Sequence, residues 1–224
     1  MRDLETWAGC PAPALPPAEG RYARIEPVRW PDDAPRLFAA VGGAGNAGLW
    51  RHIPIGHFDD VASLQTTLQT VAEEDYWRTH VIRALDDGAL GVASYMRIRP
   101  EHGSVEVGCI VLSEALQRTR AATEAMYLMA RHVFDDLGYR RYEWKCNDAN
   151  AASKRAAERF GFAFEGVFRQ DMVMKGGNRD TAWFSILDSE WPRVKAAFEA
   201  WLDPENFDRG GVQRRSLAEI RRGL

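Results

Sequence analysis

Apolar residues recur every second position in some stretches of this chain and every third or fourth in others. The two periods divide it into strands and helices. RYARIEPVR (21–29) reads as a first strand. Pro31, Asp32 and Asp33 suit the first turn of a helix running to Val41. GGAGNAG (42–48) ends that helix, and LWRHIPIGHF (49–58) is aromatic and irregular. Asp59 and Asp60 open a second helix, on which Val61, Leu64, Leu68 and Val71 share one face.

The middle of the chain alternates in the manner of strands. The runs 76–85, 89–98 and 104–112 are separated by DDG and RPEHG, both turn sequences. In the third run, Val105, Val107, Cys109 and Val111 are expected on one face, with Glu106, Gly108 and Ile110 on the other. A long helix follows over 121–137, with a stripe of Ala122, Ala125, Met126, Met129, Val133 and Leu137, and Gly138 stops it. RRYEWKC (140–146) is a strand, and 147–162 holds a short helix with Gly161 past its end. Residues 162–174 and 181–187 form a hairpin around KGGNRD, and an amphipathic helix covers about 190–202. Helices that link strands require a parallel pair, whereas meanders give antiparallel ones, so the expected fold is one mixed α/β sheet with flanking helices. Residues 1–20 are an N-terminal arm, 21–202 a single domain, and 203–224 a basic tail. Leu217 and Ile220 make part of that tail a short amphipathic helix, docking on the body or on a second subunit, so a homodimer stays open.

Composition narrows the function classes. The 224 residues are 46% hydrophobic and 27% charged, which suits a globular protein with a real core. A net charge of −3 argues against nucleic acid as a partner held by bulk electrostatics. Cys10, Cys109 and Cys146 form no CxxC pair, which fits a reduced, cytoplasmic chain. No apolar leader and no membrane-spanning run is visible. The histidines show no paired ligand spacing, so no metal is expected.

The chemistry concentrates where the third strand hands over to the long helix. Gln117, Arg118, Thr119, Arg120, Ala121 and Ala122 place donors and two guanidinium groups at a helix N-terminus, where unpaired N–H groups and a partial positive charge bind anions. The other reading is that the arginines are solvated and Thr119 caps the helix. There is no GxxxxGK[ST] and no GxGxxG.

Motifs over 105–170 resemble the GCN5-related N-acetyltransferase superfamily, in particular its ribosomal-protein alanine and serine N-acetyltransferase branch. Glu106-Val107-Gly108 matches the E-x-G strand of that family. Residues 117–122 sit on its pyrophosphate loop, and Thr123-Glu124-Ala125 on the start of its long helix. Asn150-Ala151-Ala152-Ser153 and Phe160-Gly161-Phe162 match the next elements, and EGVFR (165–169) the strand after them. Arg120 stands where the family pattern usually has Gly. The loop is therefore expected to keep ordinary backbone angles, with Arg120 supplying charge to a phosphate.

The resemblance implies an acyl-CoA N-acyltransferase fold: a mostly antiparallel twisted sheet with a splayed parallel strand pair, 104–112 and 140–146. It implies transfer of an acetyl group from acetyl-CoA to a primary amine, such as a small molecule or a protein N-terminus, by direct attack in a ternary complex. It also implies backbone contacts to the coenzyme arm from Cys109, Ile110 and Val111. A non-catalytic acyl-CoA-binding domain, or a transferase for another acyl donor or acceptor, remains an alternative. Glu106 is the candidate base and acceptor contact, or else a strand residue in an ion pair. Ser153 is a candidate acid or thiol contact, or else a group bonded to its own helix. Asn150 contacts the coenzyme or caps the helix, and Tyr142 is a second candidate acid. Cys109 or Cys146 could serve as a nucleophile, although buried thiols usually only pack. Trp50, His52 and Phe58 are candidates for the acceptor pocket, unless Trp50 and Phe58 merely anchor their loop.

Overall fold

The computed structural model describes residues 4–14, 16–86 and 88–224. Met1–Asp3 and Leu15 of the arm, and Asp87 of the DDG turn, lie outside them. One eight-stranded sheet runs through the molecule in the order β1-β2-β3-β4-β5-β6-β8-β7. Its strands are β1 (Ala18–Glu19), β2 (Ala23–Pro27), β3 (Arg78–Ala84), β4 (Leu90–Arg99), β5 (Ser104–Leu112), β6 (Arg141–Asn147), β7 (Ala163–Met174) and β8 (Gly177–Leu187). Among the described residues, only β5 and β6 pair in parallel. The crossover between them is the long helix, α3 (Arg120–Arg131), continued by a π-helical turn over His132–Asp136. The expected mixed sheet with one parallel pair is therefore what forms.

Helices cover both faces. On one, α1 (Ala34–Val41) and α2 (Val61–Glu74) bury Leu37, Val41, Leu64 and Leu68 with Trp50, Phe58, Val92 and Val111. Asp60 and Ser63 start α2 with a reciprocal capping box. On the other face, α3 packs with α4 (Ala151–Phe160), α5 (Trp191–Leu202) and α6 (Leu217–Arg222). Every residue of α3 from Ala121 to Ala130 is buried, Glu124 included. The Glu124 carboxylate accepts hydrogen bonds from the backbone N–H groups of Arg21, Tyr22 and Ala23, tying the start of the sheet to the central helix. Leu217 and Ile220 of α6 are buried against the body. No helix among the described residues is long and apolar enough to cross a membrane.

Two departures from the sequence reading matter for the site. The first is in β5. Val105 and Val107 face α3, but Cys109 and Val111 face α1 and α2. A bulge causes the switch: the register slips between Val92↔Val111 and Ser94↔Gly108, and Cys109 takes φ +46°. One extra residue reverses the parity of the rest of the strand. The second is in the last hairpin. Its turn is only Lys175 and Gly176, at φ +50° and +77°, so β8 begins at Gly177 and Arg179 lies inside the strand.

Candidate functional site

β5 and β6 pair only at Ser104↔Arg141, Val105↔Tyr142 and Glu106↔Glu143. Beyond Glu106 they part, although β5 runs on to Leu112 and β6 to Asn147. Over Val107–Leu112 the β5 edge that faces β6 therefore has no strand partner, and Cys109, Ile110 and Val111 lie on it. A free edge of this kind can pair with an extended ligand.

The same strand leads to the start of α3. Thr119 is the N-cap: its Oγ1 accepts from the Ala122 N–H at 3.1 Å. Among the described residues, the N–H groups of Arg118, Thr119, Arg120 and Ala121 meet no acceptor. Arg118 takes φ +61°, so the left-handed residue of the loop is Arg118 and not the residue in the glycine position. The expectation of ordinary angles throughout is corrected there. A left-handed residue beside right-handed ones turns successive N–H groups toward a common point, which makes an anion nest. The loop lines a cavity of about 390 Å³ that Tyr22, Trp201 and Phe207 also border, so the corner is open. The Arg120 guanidinium is sandwiched between the rings of Tyr22 and Phe207, 4.7 and 4.9 Å from their centroids. Gln117 Nε2 donates to the Leu112 carbonyl and closes the turn. The free amides, the two guanidinium groups and the free β5 edge fit a coenzyme A diphosphate and its amide-bearing arm.

Glu106 lies where the strands begin to part, on the α1 and α2 face, and is 4% exposed. Lys145 Nζ is 2.9 Å from Glu106 Oε2, and Arg97 Nε 3.9 Å. Burial pushes the Glu106 carboxyl up, Lys145 and Arg97 pull it down, and Glu143 adds repulsion; the net direction is up. Glu143 is held by Arg99 and Arg141, each at 2.8 Å. Gly108 makes room on this face for Met96, since a Cβ there would stand 2.5 Å from the Met96 Sδ. Lys145, Arg97 and Trp183 complete the floor, both cations stacking on the Trp183 ring at about 5 Å. The sequence reading passed over Lys145 and Glu143. The signal was the strict alternation of Arg141, Glu143 and Lys145 with apolar Tyr142, Trp144 and Cys146.

Ser153 lies on the opposite face. Its hydroxyl accepts from Trp144 Nε1 at 3.0 Å, and its N–H donates to the Asn150 side chain, which caps α4. Burial pushes the nearby Cys146 thiol up, and Ser153 partly offsets that rise. Glu106 and Ser153 thus flank the gap from its two sides. Tyr142 is packed among Phe134 and Phe162, and burial holds its phenol far above the ordinary value. The Cys109 thiol is pushed up to about 12 by burial. At neutral pH such a thiol has no nucleophilic thiolate.

The loop after α1 is a 3₁₀-helix over Ala44–Trp50 followed by irregular chain. Trp50 and Phe58 are buried edge to face, with Trp50 Nε1 donating to the Val41 carbonyl. They anchor the wall from behind, the plainer of the two readings made for them. His52 reaches its surface; burial first, then Arg51 and Arg179, lower its pKa. Lys175 Nζ donates to the carbonyls of Trp50 and Ile55 and ties the last hairpin to this loop. Among the described residues, no group of three or more His, Cys, Asp or Glu side chains is arranged to hold a metal ion.

Comparison with known proteins agrees with this geometry. Residues 24–163 match the family described as the Acetyltransferase (GNAT) domain. The crystal structure of a GCN5-related N-acetyltransferase from Brucella melitensis is 44% identical and superposes with a TM-score of 0.93, over 98% of this chain and 100% of that one. A ribosomal-protein-serine acetyltransferase from Escherichia coli (strain K12) is 29% identical over 106 residues, 47% of this chain and 59% of that protein. A structure of RimL, a ribosomal L7/L12 alpha-N-protein acetyltransferase in complex with coenzyme A, is 20% identical with a TM-score of 0.64, over 75% of this chain and 95% of that one. At that identity the likeness speaks for the fold.

Proposed function

The chain belongs to the GNAT acetyltransferase family, and we propose that it moves an acetyl group from acetyl-CoA to a primary amine, with a protein or peptide N-terminus as the acceptor. The observation that carries this reading is the parting of β5 and β6 beyond Glu106↔Glu143, directly before a helix start whose amides are free. A protein acceptor is favoured because one relative is named a ribosomal-protein-serine acetyltransferase.

Acetyl-CoA, when bound, supplies the thioester carbonyl that the amine attacks. The N–H groups of Arg118, Thr119, Arg120 and Ala121 hold its diphosphate, and the free edge at Cys109, Ile110 and Val111 orders its arm. Holding two reactants in register is itself a large part of the rate. The acceptor approaches from the Glu106 side, since α3 and α4 close the other. An ammonium has no lone pair, so the amine must lose its proton near the thioester. Glu106 accepts that proton, directly or through water, and burial, by raising its carboxyl, makes it a stronger base than a free carboxylate. Ser153 and the first turn of α4 meet the sulfur on the far side. Cys109 and Cys146 take no acetyl group.

The test is thiol release from acetyl-CoA with a panel of peptides and small amines, for wild type and Glu106→Gln. Expected are turnover with peptide N-termini and a loss of about 10²–10⁴ in kcat for the variant, with acetyl-CoA affinity retained. No thiol release with any amine would reject the reading.

A further inference from the structure

Among the described residues, Arg179 is the single fully buried arginine or lysine, at 6% exposed. Several half-buried cations face carboxylates: Arg83 meets Glu26 and Asp33, Lys145 meets Glu106, and Arg141 meets Glu143 and Glu165, whereas Arg159 rests on the rings of Phe160 and Trp201. Arg179 faces no carboxylate. Its Nε donates to Thr181 Oγ1 at 3.2 Å and its Nη1 to Met174 Sδ at 3.6 Å. Among the described residues, no acidic side chain pairs with it. A guanidinium offers five donors and cannot shed its charge, so burying one without an anion is costly.

Its position says what the missing anion belongs to. Along β8, Ala182, Phe184 and Ile186 face α3, so Arg179, Thr181 and Trp183 share the other face, that of Lys145 and Glu106. β6 ends at Asn147, opposite Thr181, so Arg179 stands beyond the end of β6 at the mouth of the gap. Its charge is felt by His52 on the loop above, whose pKa is lowered by burial, then Arg51, then Arg179. Lys175, from the same hairpin, holds that loop by two carbonyls. The acceptor side is therefore roofed by His52 and ends on a buried positive charge.

We propose that Arg179 binds a carboxylate of the acceptor, so that the enzyme selects amines carrying a nearby negative group and rejects polycationic amines. This rests on the acetyltransferase reading and adds the chemical class of its acceptor. The planar fork suits a carboxylate in bidentate contact. That carboxylate is either an acidic side chain close to a peptide N-terminus or the α-carboxylate of a free amino acid.

Two matched pairs separate these sources: peptides with a free N-terminal Ser that differ only in Glu or Gln at the second position, and free serine against serinamide. Thiol release would be measured with wild type and Arg179→Gln. In wild type, the carboxylate member of one pair should exceed its amide partner roughly tenfold or more in kcat/KM, mainly through KM. In Arg179→Gln the two members should converge, with calorimetric acetyl-CoA affinity unchanged. Because the substitution removes an uncompensated buried charge, Tm should stay level or rise. Equal kcat/KM within both wild-type pairs overturns the inference and leaves the transferase reading standing, as does a preference that survives in Arg179→Gln. A fall in Tm with unchanged preference assigns Arg179 to the fold and also overturns it. Should no acceptor be turned over, the transferase reading fails. Calorimetry of the N-acetylated members of each pair with the CoA-loaded protein then decides the carboxylate site: tighter binding of the acid supports it, and equal binding overturns it.

Discussion

Lys145 Nζ lies 2.9 Å from Glu106 Oε2, across the point where β5 and β6 separate. The two side chains come from strands nearly forty residues apart in sequence; Glu106 is buried and Lys145 is 13% exposed. The pair balances burial, which raises the carboxyl, against a cation that lowers it. Lys145 therefore opposes the desolvation that would otherwise favour the neutral carboxyl.

Removing the cation should move the balance in a known direction. In Lys145→Met the carboxyl keeps its desolvation and its Glu143 neighbour but loses its closest positive charge, so its pKa rises further. A base is active when deprotonated, so the rising limb of kcat against pH should shift to higher pH. A pH–rate profile with the limb unmoved would show that Glu106 is not the group being titrated.

Arg120 has two roles that substitution can separate. Its guanidinium stacks between Tyr22 and Phe207, and it lines the cavity beside the α3 N-terminus. Arg120→Ala should weaken acetyl-CoA binding about tenfold, in the range of one charge-assisted contact. Arg120→Lys keeps the charge without the planar stack and should recover most of that loss. Calorimetric titration of acetyl-CoA checks both; unchanged affinity in Arg120→Ala would assign the residue to packing alone.

Glu124 is a structural carboxylate. It satisfies three backbone N–H groups at the entry to β2 from within a wholly buried helix turn. Glu124→Ala leaves those donors without acceptors and should cost about 3 kcal/mol, read as a lower denaturant midpoint with little change in m. A loss under about 0.5 kcal/mol would mean that water replaces the carboxylate.

Direct attack predicts that acetyl-CoA leaves no acetyl group on the protein. The Cys109 thiol, held up to about 12, should stay unmodified in mass spectra of reactions quenched early, and resist iodoacetamide at neutral pH. An acetylated Cys109 or Cys146 would replace direct attack with a two-step route.

The elements were largely legible along the chain because their periods were clean. Asp60 before Val61, Thr119 before α3 and Asn150 before α4 all cap as their chemistry suggests. The pairing of Glu106 with Gly108 marked the site, and the alternation through 141–146 would have added Lys145 and Glu143. Arg179 was missed because KGGNRD read as one long turn. A two-residue turn at Lys175 and Gly176 was enough to place it inside a strand.

Periodicity, capping residues and turn chemistry act within a few positions, so the residues themselves determined the order of strands and helices and the helix start at Thr119. Tertiary structure alone decided where β5 and β6 stop pairing, how one bulged residue at Cys109 turns the end of β5 to the other face, and which buried cations find an anion. Those outcomes depend on the distances between strands far apart in the chain, and no local pattern of side chains encodes such distances.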